Sequence, residues 1–300
     1  MKVYIEPSTN LSRAMTRVEK ALTRHAPDGC EIVTDQNAAD LVILHVIGFD
    51  VEQTVKTLRA GQRYAMIQHC LRSTQRPSTR DWLPLWRNAS LVWSHYNLDA
   101  SCREEGTSLD GVNFYLAPLG LDEAFLSPPG YRPRDIGVMT SGYVAGPKAE
   151  AIEEVAIAAG IVGLPVLHIG PPPEGMATPG RHWSLLYNIS DAQLAGFYRR
   201  SWWVSGLRHV EGFELPALEG LACGARPILF DRADMRQWYT GHCVLVPECS
   251  GQRLVDLLVE LLSAVPPTVP PAERVEVLAQ FNWERIAQGF WAALRQPVSA

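Results

Sequence analysis

The chain contains 300 residues, of which 47% are hydrophobic and 20% are charged, and its net charge is −5. These values are close to the globular average, so they exclude a disordered or fibrous protein, and the charge is too small to define a partner by itself. No run approaches the 18 uncharged apolar residues of a transmembrane helix, and the N-terminal MKVYIEPSTN lacks the apolar core of a secretory signal. We therefore expect a cytoplasmic protein with no transmembrane segment.

Short apolar runs alternate with helical patterns along the chain, which is typical of a parallel α/β sheet. In the first part, strands are predicted at 2–6, 40–46, 64–68, 90–94 and 113–117, with helices at 11–24 and 51–61. A second series begins near residue 135, with strands at 136–140, 166–169, 202–204, 225–230 and 243–246. Its helices are predicted at 148–159, 191–199, 216–223 and 251–264, and a last helix at 283–295 follows a proline-rich stretch.

Two domains are predicted from this pattern. The segment LSPPGYRPRD at 126–135, with three prolines and a glycine, lies between the two series and is typical of a linker. We expect an α/β protein of two Rossmann-like domains facing a cleft. The six cysteines include no CxxC pair, so they indicate neither a zinc site nor a disulfide framework.

The segment at 208–231, RHVEGFELPALEGLACGARPILFD, is the part of the chain that indicates chemistry. An apolar strand leads into a loop and then into a helix starting at Pro216, where proline supplies a pre-set φ, and Gly224 suits the end of that helix. The amino terminus of such a helix favours a phosphate, because it gathers free N–H groups and the positive end of the helix dipole. Glu219, one turn into the helix, could accept hydrogen bonds from vicinal hydroxyls, as an acidic residue does for ribose in dinucleotide folds.

The same segment resembles a known signature. The run EGFELPALE at 211–219, followed by ACGARP at 222–227, resembles the donor-site motif of retaining GT-B glycosyltransferases, EGFGLPxxE, and only Glu214 departs from it in the nine-residue core. Residues 117–125 are similar to the domain junction of that family. Residues 141–148 are similar to its GRxxxxKG segment, with Lys148 as the lysine and Tyr143 in place of the arginine. FNW at 281–283 is similar to the start of the family's last helix, and the resemblance is weak before about residue 113.

Position by position, the resemblance implies a GT-B enzyme that transfers a sugar with retention and needs no metal, and the chain has no DxD motif that would bind one. Glu211 would lie near the transferred sugar, beside the backbone of Gly212 and Phe213, and Glu219 would bind the ribose of a nucleotide sugar. Lys148 would neutralise the departing diphosphate, a large electrostatic contribution to catalysis. The other expected donor-binding residues are Gly142, Tyr143 and Leu215.

The resemblance also implies a division of labour between the domains. Residues 1–125 would bind the acceptor, residues 126–300 would bind the nucleotide sugar, and the last helix, at about 283–295, would cross back to the N-terminal domain. His69 follows the strand predicted at 64–68, where the family often has a histidine close to the donor sugar. It is therefore either a catalytic residue or a satisfied structural histidine. His45 and His95 also follow predicted strands, with weaker signals.

A basic stretch distinguishes the N-terminal part. Seven bases and one acid lie between Lys56 and Arg87, and the central RSTQRPSTR places Arg72, Arg76 and Arg80 among Ser and Thr, as in contacts to a phosphate backbone. These three arginines are candidate acceptor-binding residues, unless the stretch is a solvated basic face. Trp82 and Trp86 follow directly, and with two leucines they would lie either at a lipid interface or in a core.

Three functions are weighed on these observations. The first is transfer of a sugar from a nucleotide-sugar donor to a hydroxyl acceptor, for which a hydroxylated base in DNA is one candidate. The alternative is a lipid-linked or polysaccharide acceptor, which many members of the family use. A nucleotide-sugar-binding protein without transfer is the third, because Tyr143 and Glu214 stand at two positions that are usually fixed. A sugar-nucleotide epimerase shares the fold but fits the motif less well.

Overall fold

The computed structural model describes residues 1–7, 13–46, 51–69, 78–127, 133–142, 150–170, 183–186, 188–209, 212–264 and 268–296. The chain folds into two compact units: Met1–Gly120 together with Phe281–Ala300, and Leu121–Gln280. Each unit is built on a parallel sheet with helices, which confirms the predicted α/β class.

The elements of the first unit alternate between strand and helix. In chain order they are β1 Lys2–Ile5, α1 Arg13–Arg24, β2 Glu31–Val33, a 3₁₀ helix Gln36–Ala38, β3 Leu41–Val46, α2 Val51–Thr54, β4 Arg63–Gln68, α3 Thr79–Asn88, β5 Val92–Ser94, α4 Leu98–Glu104 and β6 Phe114–Leu116.

The second unit follows the same alternation, and the last helix of the chain comes after it. The elements are α5 Glu123–Leu126, β7 Ile136–Ser141, α6 Ile152–Val162, β8 Val166–Ile169, β9 Trp183–Leu186, α7 Asp191–Arg200, β10 Ser201–Gly206, α8 Leu215–Ala222, β11 Arg226–Phe230, α9 Ala233–Tyr239, β12 Val244–Val246, α10 Gln252–Ser263, α11 Pro271–Gln280 and α12 Trp283–Arg295.

In the first sheet, the strands that the structure describes run parallel in the order β2-β1-β3-β4-β5-β6. Every residue of β3, Leu41–Val46, is buried, which explains its nearly continuous apolar run, because a central strand is covered on both faces. The strand order reverses between β1 and β3. In open α/β sheets, ligands bind beyond the carboxyl ends of the strands at such a switch point.

In the second sheet, the described strands are also parallel, in the order β12-β11-β10-β7-β8-β9. Numbered within the unit and read from the β9 edge, this is the 3-2-1-4-5-6 order of dinucleotide-binding folds. The switch point lies between β7 and β10. The carboxyl ends of these two strands are therefore where a ligand of this unit is expected.

The last helix belongs to the first unit. Asn282 caps it by accepting a hydrogen bond from the backbone N–H of Arg285 at 3.0 Å, and the indole N–H of Trp291 donates to the carbonyl of Leu22 at 3.1 Å. The Tyr115 hydroxyl donates to a carbonyl of the helix at 2.9 Å. These contacts attach α12 to β6 and α1.

Several elements differ from the sequence prediction. The edge strands β2 and β9 and the helices α3, α4, α9 and α11 are absent from that prediction, and the helix expected at 51–61 is limited to Val51–Thr54. Helix α11 begins within the proline-rich stretch that precedes the last helix. Pro271 is the first residue of α11, where a proline removes no N–H that the helix needs. The helix expected at 148–159 is Ile152–Val162, and residues 148 and 149 lie outside the described residues.

Candidate active site

A glycine follows each of the strands β7 and β8 at its carboxyl end. Gly142 and Gly170 have φ angles of +98° and +136°, a conformation that side-chain-bearing residues rarely adopt. The N–H of Gly142 donates to the carbonyl of Ile169 at 3.1 Å, and a Cβ on Gly170 would lie 3.4 Å from the carbonyl oxygen of Gly142. At these two positions the backbone therefore carries no side chain, at the edge of the sheet where the switch point is. Gly142 is one of the expected donor-binding residues.

Helix α8 is fixed against the neighbouring strand β10. A Cβ on Gly220 would lie 2.5 Å from Cγ1 of Val204, so this glycine allows the helix to pack directly on the strand. Pro216 stands in the first turn, and Leu215, the first residue of the helix, is half-buried. The amino terminus of α8 is thereby placed at the carboxyl edge of the sheet, as expected for a phosphate-binding helix.

The loop before α8 is also held in place. Gly212 is buried, and Phe213 is buried with its ring centroid 5.6 Å from that of Tyr239 and 6.2 Å from that of Trp238. The Tyr239 hydroxyl donates to the backbone carbonyl of Glu214 at 2.7 Å. Helix α9 thus holds the backbone that the family resemblance places beside the transferred sugar.

Glu219 is buried, with 4% of its surface exposed. Its Oε2 accepts a hydrogen bond from the Tyr198 hydroxyl at 3.3 Å. Burial, together with the neighbouring carboxylate, raises the pKa of Tyr198 well above its ordinary value, so this phenol remains a donor. Tyr198 on α7 therefore orients one oxygen of the carboxylate that the resemblance assigns to ribose.

A buried ion network lies directly beneath this edge. The Arg208 guanidinium contacts Glu214 through Nη1, while Nη2 lies 3.2 Å from Oε2 of Glu150 and donates to the Ser141 carbonyl at 2.6 Å. All three charged side chains are at most 6% exposed. A Cβ on Gly142 would lie 2.7 Å from Nη2 of Arg208. One arginine thus supports both the glycine turn after β7 and the residue that precedes α8.

Three histidines lie at the carboxyl edge of the first sheet. His45 is near the end of β3, His69 directly follows β4, and His95 directly follows β5. Because β3, β4 and β5 are adjacent, the rings meet: the centroids of His45 and His69 are 5.2 Å apart, and those of His69 and His95 are 5.5 Å apart. The histidine that the sequence favours therefore lies in a cluster with the two that carry weaker signals.

Part of the basic stretch can be placed. Arg80 is exposed on α3 and donates to the carbonyl of Glu105 at 3.0 Å. Trp82 and Trp86 are fully buried, and the Trp86 indole donates to the side chain of Gln68 at 3.1 Å. The lipid-contact interpretation of these two tryptophans is therefore wrong, because both belong to the core of the first unit.

Five expected site residues lie outside the described residues: Glu211, Lys148, Tyr143, Arg72 and Arg76. Within the part of the chain that is described, no group of three or more His, Cys, Asp or Glu side chains is arranged to hold a metal ion. No helix among the same residues has the length and apolar character needed to cross a bilayer.

No family model matches the sequence, and no curated protein matches it significantly. Solved structures are similar in fold. Sucrose-phosphate synthase from Thermosynechococcus elongatus is similar with a TM-score of 0.67 at 20% identity, over 97% of this chain and 81% of that one. HepE of Anabaena, in complex with UDP-glucose, gives a TM-score of 0.68 at 14% identity over 98% of both chains. The chain has the GT-B fold. This confirms the predicted fold.

The pneumococcal O-GlcNAc transferase GtfA, in complex with UDP and GlcNAc, is similar over 85% of this chain and 56% of its own, with a TM-score of 0.65 at 14% identity.

The sequence analysis missed two residues of the candidate site, Arg208 and Glu150. The signal for Arg208 is present in the sequence, since it lies six residues before Glu214, the one departure in the donor motif. Glu150 carries no such signal, because it is 58 residues away from Arg208 in the chain.

Proposed function

We propose that the protein is a retaining glycosyltransferase that moves a sugar from a nucleotide-sugar donor to a hydroxyl acceptor. The observation that supports this most is the position of the donor-like motif. Residues 212–227 of this motif follow β10 at the switch point of a sheet with dinucleotide-binding strand order, beside the bare glycine turn at Gly142. Fold and motif therefore point independently to the same edge of the second unit.

Each expected residue has a role in this proposal. Glu219, oriented by Tyr198, binds the ribose hydroxyls, and Glu211 lies near the transferred sugar with the backbone of Gly212 and Phe213. The Gly142 turn, Tyr143 and Leu215 complete the donor contacts. Lys148 neutralises the leaving diphosphate, and His69 contacts the sugar or the acceptor hydroxyl. Residues 1–125 serve the acceptor, and the donor is bound by residues from 126 onwards.

The reaction exchanges one bond for another at the anomeric carbon. The bond from this carbon to the donor phosphate oxygen breaks, and a bond to the acceptor oxygen forms on the same face. The proton of the acceptor hydroxyl passes to the departing diphosphate. Since the chain's own cation neutralises the leaving group, no metal is needed, and transfer is expected to continue in the presence of EDTA.

A donor screen tests the proposal. Because HepE was crystallised with UDP-glucose and GtfA with UDP, UDP-sugars come first in a thermal-shift panel of nucleotide sugars. A true donor at about 100 times its Kd is expected to stabilise the protein by about 2.7 kcal/mol, or roughly 5–10 °C in Tm. Glu219→Gln can keep the hydrogen bond to Tyr198 but lacks the charge, so binding is expected to weaken about 10- to 100-fold.

The matched control is Glu260→Gln, an exposed carboxylate on α10, which is expected to leave the shift unchanged. Absence of a shift with every nucleotide sugar would contradict the proposal. A shift without transfer or donor hydrolysis would favour the nucleotide-sugar-binding protein instead.

DNA with a hydroxylated base is the first acceptor to test, because Arg72, Arg76 and Arg80 lie in the basic stretch. Binding is expected to weaken with salt, and replacing all three with alanine should reduce the slope of log K against log salt by about 0.9 for each phosphate that is no longer neutralised. Arg253→Ala, on the exposed side of α10 in the other unit, is the control. If no duplex binds at low salt, the lipid-linked or polysaccharide acceptor takes its place.

A further inference from the structure

Two rings of the histidine cluster, those of His45 and His69, are joined by a hydrogen bond. Nδ1 of His45 lies 2.9 Å from Nε2 of His69, and the two rings are stacked with an angle of 22° between their planes. In such a bond one nitrogen must carry the proton and the other must accept it. The position of this proton decides whether the other ring nitrogen of His69, Nδ1, is a hydrogen-bond donor or an acceptor.

The surroundings of His45 decide between the two arrangements. Burial lowers the pKa of His45 to about 4, so the ring is neutral at neutral pH and carries one proton. If that proton were on Nε2, it would be a buried N–H without a partner, since this atom has none among the described residues. Buried N–H groups without an acceptor are rare in folded proteins, whereas buried acceptors without a donor are less rare. The proton therefore belongs on Nδ1 and is donated to His69.

Two groups next to the histidine pair, Glu6 and His95, hydrogen-bond to the backbone. The carboxylate of Glu6, which follows β1 at the switch point, accepts from the backbone N–H of His45 at 2.9 Å. His95 has Nδ1 at 3.0 Å from the carbonyl of Ala117, and since a carbonyl only accepts, that nitrogen is the donor. Glu6 and Nδ1 of His95 thus each have a backbone partner.

We propose that His45 is a positioning residue that holds His69 in the tautomer with its proton on Nδ1, so that this nitrogen is a hydrogen-bond donor and not a base. The kinetic consequence rests on the proposed glycosyl transfer. The tautomer itself does not, and it can be measured in the protein without donor or acceptor.

Nitrogen-15 NMR of the histidine-labelled 300-residue chain at neutral pH tests the tautomer, with His69→Gln to assign the resonances. In the wild type, Nδ1 of His69 is expected to be protonated and Nε2 unprotonated. His45→Asn places an amide N–H where Nδ1 was, so the tautomer should persist. His45→Asp places only acceptor oxygens there, so the proton of His69 should move to Nε2.

A wild-type spectrum with His69 protonated on Nε2 overturns the proposal, whatever the variants do. The same tautomer in wild type and in a folded His45→Asp variant also overturns it. If His45→Asp does not fold, the wild-type spectrum and His45→Asn still decide.

Kinetics separate positioning from a structural role. Once a donor is known, His45→Asp is expected to lower kcat about tenfold, the loss of one oriented hydrogen bond, with little change in donor KM, and His45→Asn should restore the wild-type rate. His25→Asn, just after α1 and outside the cluster, is the control. Equal loss in the Asn and Asp variants contradicts the proposal. An inactive wild type with the expected tautomer would count against the glycosyltransferase function and leave the tautomer assignment standing.

Discussion

Replacing Lys148 with alanine is expected to lower kcat for sugar transfer by on the order of 10²–10³-fold. The family resemblance of residues 141–148 places this lysine against the departing diphosphate, where Tyr143 replaces the second cation of the pair. Negative charge develops on the leaving group in the transition state, so a fixed positive charge stabilises that state more than the bound donor. With the arginine absent, Lys148 would carry a larger share of this stabilisation in the proposed reaction.

Initial-rate kinetics and the donor thermal shift together check this expectation. The rate should fall steeply in Lys148→Ala while donor-induced stabilisation remains measurable, and Lys148→Arg should recover part of the rate because it restores the charge. Lys20→Ala, an exposed lysine on α1, is the matched control. Transfer that is unchanged in Lys148→Ala and in Glu211→Ala would remove these two residues from the catalytic machinery.

The central strands of both sheets could be predicted because local composition determines them. Runs such as 41–46 are nearly continuously apolar, with only His45 polar, and a strand covered on both faces by helices accommodates such a run. The edge strand β2, Glu31–Val33, has three residues that are exposed or half-buried, so it has no comparable pattern. Its place in the sheet is set by pairing with β1, which is a long-range property.

Helix α3 shows how a local signal can point to the wrong conclusion. Its two tryptophans, beside leucine and arginine, suggest a surface for lipid. Asp81 accepts from the backbone N–H of Ser78 at 2.7 Å, which starts the helix, and the spacing of Trp82 and Trp86 places both on its buried face. A helix with Pro84 inside it has a weak propensity signal, and packing within the first unit decides the outcome.

Some residues of the candidate site can likewise be predicted from the sequence, whereas others cannot. The donor-like motif is readable from the sequence because its residues are contiguous, and α8 forms directly within them. The histidine cluster is only partly readable, because the sequence cannot show that β3, β4 and β5 are neighbours in the sheet. Glu150 is not readable at all, since its pairing with Arg208 exists only after β7 and β10 have come together.

The ion network around Arg208 is expected to be the most sensitive structural feature of the second unit. Replacing Arg208 with methionine keeps most of the side-chain volume but leaves Glu214 and Glu150 as buried carboxylates without their cation. Removing one partner of a buried ion pair typically costs about 3–5 kcal/mol, because the remaining charge is uncompensated. Urea denaturation of the full chain should show this loss. Arg200→Met breaks an exposed pair with Asp135 and should cost at most about 1 kcal/mol.

Neutralising the carboxylates distinguishes charge from packing. If the loss in Arg208→Met comes from unpaired charge, adding Glu150→Gln and Glu214→Gln should recover most of the stability, since well-packed neutral groups replace buried ions at little cost. The donor-induced thermal shift should recover less, because Arg208 also donates to Ser141 beside the Gly142 turn. Full recovery of both would mean that Arg208 contributes nothing to the geometry around Ser141 and Gly142.

The same network gives a pH dependence with a definite sign. Burial raises the pKa of Glu150 from 4.5 to about 7, the Arg208 charge opposing this, so the folded protein holds a proton that the unfolded chain has released. The resulting stabilisation is full below about pH 4.5 and is lost as the pH rises through about 7, in total on the order of 3 kcal/mol. His45, with a pKa lowered from 6.5 to about 4, acts in the opposite direction as the pH falls.

A neutral variant isolates the Glu150 contribution. The difference in unfolding free energy between wild type and Glu150→Gln, measured from pH 5 to 8, cancels the His45 contribution and should change in favour of the variant as the pH rises. A difference that is flat across this range would mean that Glu150 is ionised in the folded protein at pH 5. Arg208 would then compensate the charge of both carboxylates fully, and the stability of the second unit would not depend on a proton at Glu150.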